Sequence, residues 1–161
     1  MRPAYLLLVA AVLGCSSDPT EAPAYGRDPA VRSEGVTYRA ETRVLESFPV
    51  QLRTLVTITN ATTGPVTLTM PDGCIVLLRA YADANATRPV FDQASVRGCT
   101  MALQDVRLAA GQSVQFGAGS DAREVLGERL PDGRYWLRAV LRPNGREVEV
   151  PAGAVELAVP R

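Results

Sequence analysis

The sequence contains no histidine and no lysine, so all 17 of its basic residues are arginine. Histidine is the commonest general base and metal ligand, and lysine is needed for Ser–Lys hydrolase dyads. No Gly-x-Ser-x-Gly elbow occurs, and the two-glycine segment Gly117-Ala118-Gly119-Ser120 lacks the lysine of a phosphate-binding loop. These absences predict a protein that is not an enzyme and that holds no metal ion or other cofactor.

Neither sign of charge is in excess, because 17 acidic residues balance the 17 arginines. A nucleic-acid-binding domain usually carries a basic patch, so we expect no nucleic-acid partner. The same balance predicts no polybasic contact with a membrane surface. A calcium site would need several acids close together, and Asp83, Asp92 and Asp105 are spread too widely along the chain for one.

Long apolar runs are also scarce, and the clearest one lies near the N-terminus. Met1-Arg2-Pro3 is a short basic start, and residues 4–13 that follow are all apolar. A membrane-spanning helix needs about 20 apolar residues, whereas the apolar region of a signal peptide needs about 7 to 15. Residues 1–14 are therefore predicted to be a signal peptide that is removed from the mature protein.

The apolar run ends in Val12-Leu13-Gly14-Cys15, which resembles the lipobox of bacterial lipoproteins. The resemblance implies that the leader is cut before Cys15, that a diacylglyceryl group joins the Cys15 thiol, and that the new amino terminus is acylated. Several acyl chains together give lasting membrane attachment. Ser16, in place of the Asp that retains lipoproteins at the inner membrane, implies an outer-membrane address facing the periplasm. The alternative is an ordinary secretory leader with an incidental cysteine.

The segment after the lipobox has the composition of a linker. Residues 15–35 are rich in Pro, Ser, Asp, Gly and Ala and show no apolar periodicity. Such a chain cannot bury enough apolar surface to fold, so we predict a flexible spacer that begins at the lipidated Cys15. The folded domain is then predicted to comprise residues 36–161.

From Val36 onward, apolar residues alternate with polar ones, which is the period of half-buried β-strands. The apolar positions that share a strand face are Val36, Tyr38, Ala40 and Val44; Leu52, Val56 and Ile58; Val66, Leu68 and Met70; and Tyr135, Leu137, Ala139 and Leu141. Helical periodicity is absent, except for one turn that residues 121–130 could hold. The pattern predicts an all-β, immunoglobulin-like antiparallel β-sandwich.

Three turns of one kind separate the predicted strands. They are Pro71-Asp72-Gly73, Pro131-Asp132-Gly133 and Pro143-Asn144-Gly145. In each, the proline sets the first turn position, and we expect the glycine to take positive φ. The spacing of these turns supports the prediction of several short strands.

A second resemblance covers roughly residues 50–141. Thr57-Ile58-Thr59-Asn60 before Pro65-Val66-Thr67-Leu68, the segment of residues 108–116, and Pro131-Asp132-Gly133-Arg134-Tyr135 are similar to strands of the BsuPI-like intracellular proteinase inhibitors, a family of immunoglobulin-type domains. The chain departs from the family at Pro89-Val90-Phe91-Asp92, where a Trp is usual, and at Ala110, where a Pro is usual. The resemblance implies a non-catalytic binding module, of which a proteinase inhibitor is one form.

Cysteine is scarce, with three residues in the chain. Once Cys15 is lipidated, Cys74 and Cys99 remain, and two thiols in an oxidising compartment favour one disulfide. The alternative is a metal or redox pair, which the wide spacing and the absence of histidine disfavour.

One strand carries a candidate binding patch. Arg134, Trp136, Arg138 and Arg142 lie together with Val140 on one face of the strand that follows Gly133. Arg and Trp are enriched at binding surfaces, so the row is a possible site for a partner. The alternative places Trp136 in the core, with the arginines reaching around it to water.

Together these observations predict a membrane-anchored envelope lipoprotein whose sandwich is a non-catalytic binding module, possibly similar to a proteinase inhibitor in its action. Its contact with the membrane is the lipid anchor, and its partner is expected to be a protein. The alternative function is that of a structural or assembly component of an envelope complex.

Overall fold

The structure is a computed structural model that describes residues 29–45, 47 and 49–159. The predicted signal peptide, Cys15 and the first part of the linker lie outside these residues. The described elements are β1 (Val31–Ser33), β2 (Val36–Leu45), β3 (Gln51–Asn60), β4 (Val66–Met70), β5 (Leu77–Tyr81), β6 (Phe91–Asp92), β7 (Gln104–Leu108), β8 (Ser113–Asp121), α1 (Ala122–Leu126), β9 (Gly133–Leu141) and β10 (Val148–Leu157). Short 3₁₀ turns lie at Gln93–Ser95 and Pro143–Gly145. Within the described ranges, no helix is both long and apolar enough to cross a bilayer.

The strands form two four-stranded sheets and a two-stranded ribbon, in which all neighbouring strands are antiparallel. The strand order is β1-β2-β3-β8 in the first sheet and β10-β9-β5-β6 in the second, and the ribbon pairs β4 with β7. Strands β2, β3 and β8 take the places of A, B and E in an immunoglobulin domain, and β5, β9 and β10 take those of C, F and G. The predicted all-β antiparallel sandwich is confirmed.

The core lies between the sheets and follows the alternation of the sequence. Its buried members include Val36, Tyr38 and Ala40 on β2; Leu52, Val56 and Ile58 on β3; and Tyr135, Leu137, Ala139 and Leu141 on β9. Two threonines continue the inner faces, and the hydroxyls of Thr42 and Thr54 hydrogen-bond to each other over 2.7 Å. Because buried hydroxyls are costly only when unpaired, this pair is tolerated inside the sandwich.

Tyr135 fixes the point where the chain passes from the first sheet to the second. Its ring is buried near the start of β9, and its hydroxyl donates to the Pro131 carbonyl oxygen over 2.7 Å. A tyrosine at the start of strand F that bonds back to the backbone is the tyrosine corner of immunoglobulin-like sandwiches. The Pro131-Asp132-Gly133 turn therefore has a second role, as the acceptor side of this corner.

Asn60, the last residue of β3, joins one end of the ribbon to the first sheet. Its fully buried side chain donates to the carbonyl oxygens of Gly64, Leu108 and Ala109 and accepts from Thr62. An asparagine can satisfy several backbone groups at once, and buried carbonyls left without a donor are costly. The Thr59-Asn60 pair that ends β3 therefore has a structural role, because Asn60 holds neighbouring backbone carbonyl groups in place.

The sandwich begins earlier than residue 36, which corrects the predicted linker boundary. Val31–Ser33 forms β1 and pairs with Val36–Tyr38 of β2. The hairpin turn between them places Glu34 at φ 49° and Gly35 at φ 76°, and two successive positive φ values match the right-handed twist of a two-residue hairpin. Five residues assigned to the spacer therefore belong to the domain.

The one α-helix in the described part of the chain agrees with the helical turn allowed for residues 121–130. Helix α1 is one short turn, and the carboxylate of Asp121 accepts a 2.8 Å hydrogen bond from the amide of Glu124. An aspartate in this position satisfies an otherwise unpaired amide of the first turn. The chain continues from α1 to the tyrosine corner.

Candidate binding surface

The predicted Arg and Trp patch lies on the outer face of the second sheet. Trp136 is half-buried and points away from the core, because the alternate residues of β9 fill the inner face. Arg134 is exposed, and its guanidinium carbon lies 5.5 Å from the centroid of the Trp136 ring. The structure therefore places Trp136 outside the core, as the patch requires.

The guanidinium of Arg138, in contrast, is already occupied within the domain. It donates to a Glu149 carboxylate oxygen at 3.0 Å and to the Ala86 carbonyl oxygen at 3.0 Å. It also lies over the ring of Tyr81, 4.0 Å from the centroid. A cation over an aromatic face with paired hydrogen bonds stabilises the sheet and the adjoining loop. Arg138 therefore offers little free charge to a partner.

Arg79 on β5 is the centre of this face, and sequence reasoning missed it. It donates to Asp92 at 2.8 Å and to the carboxylates of Glu147 and Glu149, each at 2.5 Å. Arg142, the fourth residue of the predicted patch, lies 3.4 Å from Glu147. Two arginines of the predicted patch are thus members of an ion-pair network that holds β5, β6 and β10 together.

The network shifts the ionisation of its members. The hydrogen bond from Arg79 holds the pKa of the Glu147 carboxyl below its usual value. Burial opposes the ionisation of Glu149, but hydrogen bonds from Arg79, Arg138 and Tyr81 outweigh it and lower the pKa of Glu149 as well. Burial, and then the neighbouring Glu149, raise the pKa of Tyr81. These carboxylates are therefore charged, paired groups and are not poised as acids or bases at neutral pH.

A concavity of about 520 Å³ lies beside Trp136. Its lining residues are Pro29, Val31, Ala84, Trp136, Leu137, Arg138, Glu149, Pro151 and Gly153. Its two charged members, Arg138 and Glu149, are paired with each other at 3.0 Å. The concavity thus presents an aromatic ring and proline edges beside the place where the chain enters the sandwich.

The predicted disulfide is present in the structure. The sulfurs of Cys74 and Cys99 are bonded, and their Cα atoms lie 5.5 Å apart, which is the usual separation. A carboxylate oxygen of Asp72 lies within 4.8 Å of both sulfurs. Since oxidised sulfurs are not thiolate ligands, this group does not form a metal site, and the alternative of a metal pair is not supported.

The disulfide holds a loop on which large apolar side chains are exposed to solvent. We call this loop, residues 94–103, the clamped loop. Five large apolar side chains are exposed among the described residues: Leu45 (48%), Val90 (40%), Val96 (63%), Met101 (99%) and Leu103 (74%). The three most exposed all belong to the clamped loop. Single exposed apolar residues are ordinary, but a group on one segment marks a candidate interaction site.

The clamped loop is braced at both ends. Before it, the fully buried Gln93 accepts from the amide of Leu78 in the second sheet and donates to the Gly119 carbonyl oxygen in the first. Within it, Arg97 reaches the same carbonyl at 3.1 Å. After it, Gln104 begins the pairing of β7 with Met70. The loop therefore closes the open side of the sandwich between β6 and β8.

Met101 stands at the apex of the clamped loop. The amide of Ala102 donates to the Thr100 carbonyl oxygen over 2.9 Å, which closes a γ-turn around Met101. The same oxygen accepts a 2.9 Å bond from Gly73. Gly73 does not have the positive φ that we expected, and its lack of a side chain serves close approach instead, because a Cβ there would lie 2.2 Å from the Thr100 hydroxyl. That expectation was wrong at Gly73 and right at Gly145, where φ is 76°.

Sequence reasoning did not identify the clamped loop as a site. A signal was present, since Met101 and Leu103 follow Cys99 in a segment that no strand or helix period explains. Exposure of these side chains depends, however, on where the disulfide and Gln93 hold the segment, and the sequence alone does not reveal that.

Comparison with known proteins identifies no family for this chain. No family model and no curated protein match the chain. Among solved structures, DesR, a β-glucosidase from Streptomyces venezuelae, is 16% identical over 76% of this chain, with a TM-score of 0.40. A β-glucosidase from Listeria innocua is 14% identical over 76% of the chain, with a TM-score of 0.37, and a Northeast Structural Genomics Consortium target is 12% identical over 78%, with a TM-score of 0.34.

These likenesses are too distant to carry an argument about function. The chain spans 15% of the length of DesR and 17% of that of the Listeria enzyme, but 88% of the structural genomics target. The candidate surface must therefore be interpreted from its own geometry.

Proposed function

We propose that this protein is a lipid-anchored envelope lipoprotein whose sandwich is a non-catalytic module that binds a protein partner through the clamped loop. The observation that carries the proposal is the exposure of Val96, Met101 and Leu103 on one loop that is fixed by a disulfide. A rigid apolar loop loses little conformational entropy when a partner covers it, which favours binding. On the second sheet face, Arg79, Arg138 and Arg142 are paired with carboxylates of the domain and offer less free charge to a partner.

The position of the loop supports a protein partner over the lipid surface. The chain enters the domain at Pro29, just before β1, and β1 and β8 are opposite edges of the first sheet. The clamped loop contacts the β8 edge through Arg97 and Gly119. Three strand spacings, about 14 Å, therefore separate the loop from the edge where the tether joins. The loop and the edge at which the tether joins are therefore opposite edges of the first sheet, which leaves the loop accessible to a protein partner.

The anchor itself is supported by the lipobox-like Val12-Leu13-Gly14-Cys15. Between Cys15 and Pro29 the chain could extend over roughly 45 Å, enough to hold the domain clear of lipid headgroups. We expect the mature protein to begin at an acylated Cys15 and to sediment with membranes. Cys15→Ala should abolish acylation and release the protein; an unacylated wild-type terminus, detected by mass spectrometry, would refute the anchor.

The binding role is tested by photo-crosslinking in living cells. A photoreactive amino acid at Met101 should give a discrete adduct with an envelope protein. The matched control is the same amino acid at Arg53, which is exposed on β3 of the first sheet. Adducts from Met101 that are absent from Arg53 support the proposal, whereas equal or no adducts from both positions contradict it.

A further inference from the structure

We infer that the open edge of strand β8 pairs with the same edge of a second copy of this chain and joins two four-stranded sheets into one. The two β8 strands run antiparallel about a two-fold axis, as in other closed homodimers. The dimer uses a different surface from the clamped loop, goes beyond the proposed partner contact and does not depend on it.

Strand β8 lies at an edge because the strand before it pairs elsewhere. β7 precedes β8 in the chain but pairs with β4 in the ribbon, which leaves β3 as the neighbour of β8 in the first sheet. Val114 and Phe116 pack against the core and are still partly exposed. Gln93 and Arg97 reach this edge farther along, at the Gly119 carbonyl oxygen. An added strand would therefore cover apolar side chains as well as backbone.

The backbone of β8 has hydrogen-bonding groups that point out of the sheet. The amide of Ala122, just after β8, donates to the Val50 carbonyl oxygen, in register with the pairing of β3 and β8. Because bonded pairs alternate with non-bonded pairs along an antiparallel ladder, the even-numbered residues of β8 bond to β3. The amide and carbonyl groups of Ser113, Gln115 and Gly117 therefore face outward, where they form a template for another strand.

The other edges of the two four-stranded sheets, in the described part of the chain, are protected against such pairing. β1 has three residues and β6 has two, so both are short. β10 is long but is interrupted by Pro151 and by the register shift that follows it. Short strands, prolines, bulges and charges are the devices that prevent edge-to-edge pairing. Residues 113–120 contain no proline and no charged residue.

The absence of charge on this strand favours a second copy of the chain as its partner. In a two-fold pairing the strand meets itself, so a charge near the axis would face a like charge. With the axis at Phe116, Gln115 of one copy lies opposite Gly117 of the other, and the glycine leaves space for the longer side chain. The strand is thus complementary to itself in charge and in size.

The proposed lipid anchor is compatible with this dimer and favours it. The tether joins the domain at β1, which is the edge opposite β8, so the two tethers leave from the outer ends of the joined sheet. Two copies anchored in one membrane are confined to a layer, which raises their effective concentration. An edge contact that is weak in free solution is therefore favoured at the membrane.

Cysteine crosslinking of the mature full-length protein in membranes tests the pairing. Both cysteines of the described residues are in the disulfide, and Cys15 is expected to be acylated, so an introduced cysteine supplies the free thiol. Ser113→Cys, Gln115→Cys and Gly117→Cys are each treated with a short bis-maleimide. The control is Arg53→Cys, exposed on the neighbouring strand β3.

The pattern of crosslinks identifies the two-fold axis. Each residue of distance from the axis moves the two equivalent positions about 7 Å farther apart along the strands. The yield of crosslinked dimer should therefore peak at one or two of the three β8 positions and be low at Arg53→Cys. Equal yields at all four positions, no dimer at any of them, or adducts with other proteins in place of the dimer would overturn the inference.

Two substitutions of Gln115 test the dimer without a crosslinker. Gln115→Pro removes an outward amide that the β3 ladder does not use, and Gln115→Lys places like charges near the axis. Energy transfer between co-expressed copies, fused at the C-terminus to donor or acceptor fluorescent proteins, measures association in the membrane. The association constant should fall at least about tenfold in both variants.

Asn85→Lys is the matched control, because it makes the same charge change at an exposed residue of the β5–β6 connection. It should associate as wild type does. Thermal unfolding should show the same melting temperature for Gln115→Lys and Asn85→Lys, so the lysine variant decides the result even if Gln115→Pro folds poorly. Absence of transfer in the wild type, or undiminished transfer in Gln115→Lys, contradicts the dimer.

Discussion

The amide of Gly73 donates a 2.9 Å hydrogen bond to the carbonyl oxygen of Thr100, and the Thr100 hydroxyl occupies the space where a Gly73 side chain would lie. This contact joins the middle of the β4–β5 connection to the residue just before the loop apex. The position of Met101 therefore depends on a glycine that is distant in sequence. The sequence pattern assigned that glycine to an ordinary turn.

Gly73→Ala should displace the apex of the clamped loop without disturbing the core. The new Cβ would lie 2.2 Å from the Thr100 hydroxyl, so Thr100 must move and the shared carbonyl bond weakens. Hydrogen exchange should show faster exchange of the Ala102 amide, and the Met101 crosslink should decrease. Gly98→Ala is the control on the same loop, since a Cβ there meets no atom within 4 Å. Equal behaviour of the two variants would contradict the bracing role of Gly73.

Removal of the disulfide should lower the free energy of unfolding by about 3 kcal/mol in the chain-entropy model. The closed loop spans a separation of 25 residues, so reduction restores considerable freedom to the unfolded chain. Chemical denaturation of Cys74→Ser/Cys99→Ser against wild type measures the change. In Cys74→Ser alone, Cys99 should react with maleimide. Reaction of Cys99 in the native, unreduced wild-type protein would mean that the disulfide is not formed.

Tyr135→Phe should cost about 1 kcal/mol of stability, because it removes one net hydrogen bond and leaves the Pro131 carbonyl without this donor. The ring itself stays in the core, so the change isolates the hydroxyl of the tyrosine corner. Urea denaturation of the variant and the wild type provides the comparison. A variant as stable as wild type would show that the corner does not stabilise the fold.

The ion-pair network predicts a loss of stability in acid. The pKa values of Glu147 and Glu149 are lowered in the folded state, from an ordinary value of 4.5. Groups of this kind contribute stability that is present above pH 4.5 and is lost as the pH falls through the lowered, folded-state pKa. Because both side chains are partly exposed, solvent screening keeps the contribution modest.

The variant Glu147→Gln/Glu149→Gln tests this dependence. It should be less stable than wild type at neutral pH, and a second measurement in acid, well below pH 4.5, should show a smaller difference because the wild-type carboxylates protonate there. Glu156→Gln, on the exposed side of β10 and outside the network, is the control. A stability difference that is the same at both pH values would show that the charges of Glu147 and Glu149 do not contribute.

The core of the sandwich could be predicted because apolar and polar residues alternate along each strand, and this pattern is visible within the strand's own sequence. Each of Tyr135, Leu137 and Ala139 is buried for a reason visible within its own strand, and the same is true of Val36 and Tyr38. The pairing of Cys74 with Cys99 was predictable because the sequence pattern assigned Cys15 to a lipobox, which left two cysteines. These inferences need no knowledge of which strands become neighbours.

The surface features were less predictable because they depend on strand adjacency. Arg79 meets Glu147 and Glu149 from 68 and 70 residues away, which only the placement of β5 near β10 reveals. Arg138 was expected to be free for a partner, but the neighbouring strand brings Glu149 to it. Short β1 was missed because its three residues are too few to show a period. Similarly, the exposure of Met101 follows from long-range bracing by Gln93 and Cys74.

If binding affinity resides in the clamped loop, the most direct measurement is the dissociation constant of the partner that is captured by crosslinking from Met101. It should be measured for wild type, for Met101→Ser/Leu103→Ser, and for the control Leu45→Ser/Val90→Ser, which removes exposed apolar side chains outside the loop. We predict that the loop variant binds at least about tenfold more weakly and that the control changes by less than about twofold. Equal affinities for the wild type and the loop variant would contradict the account.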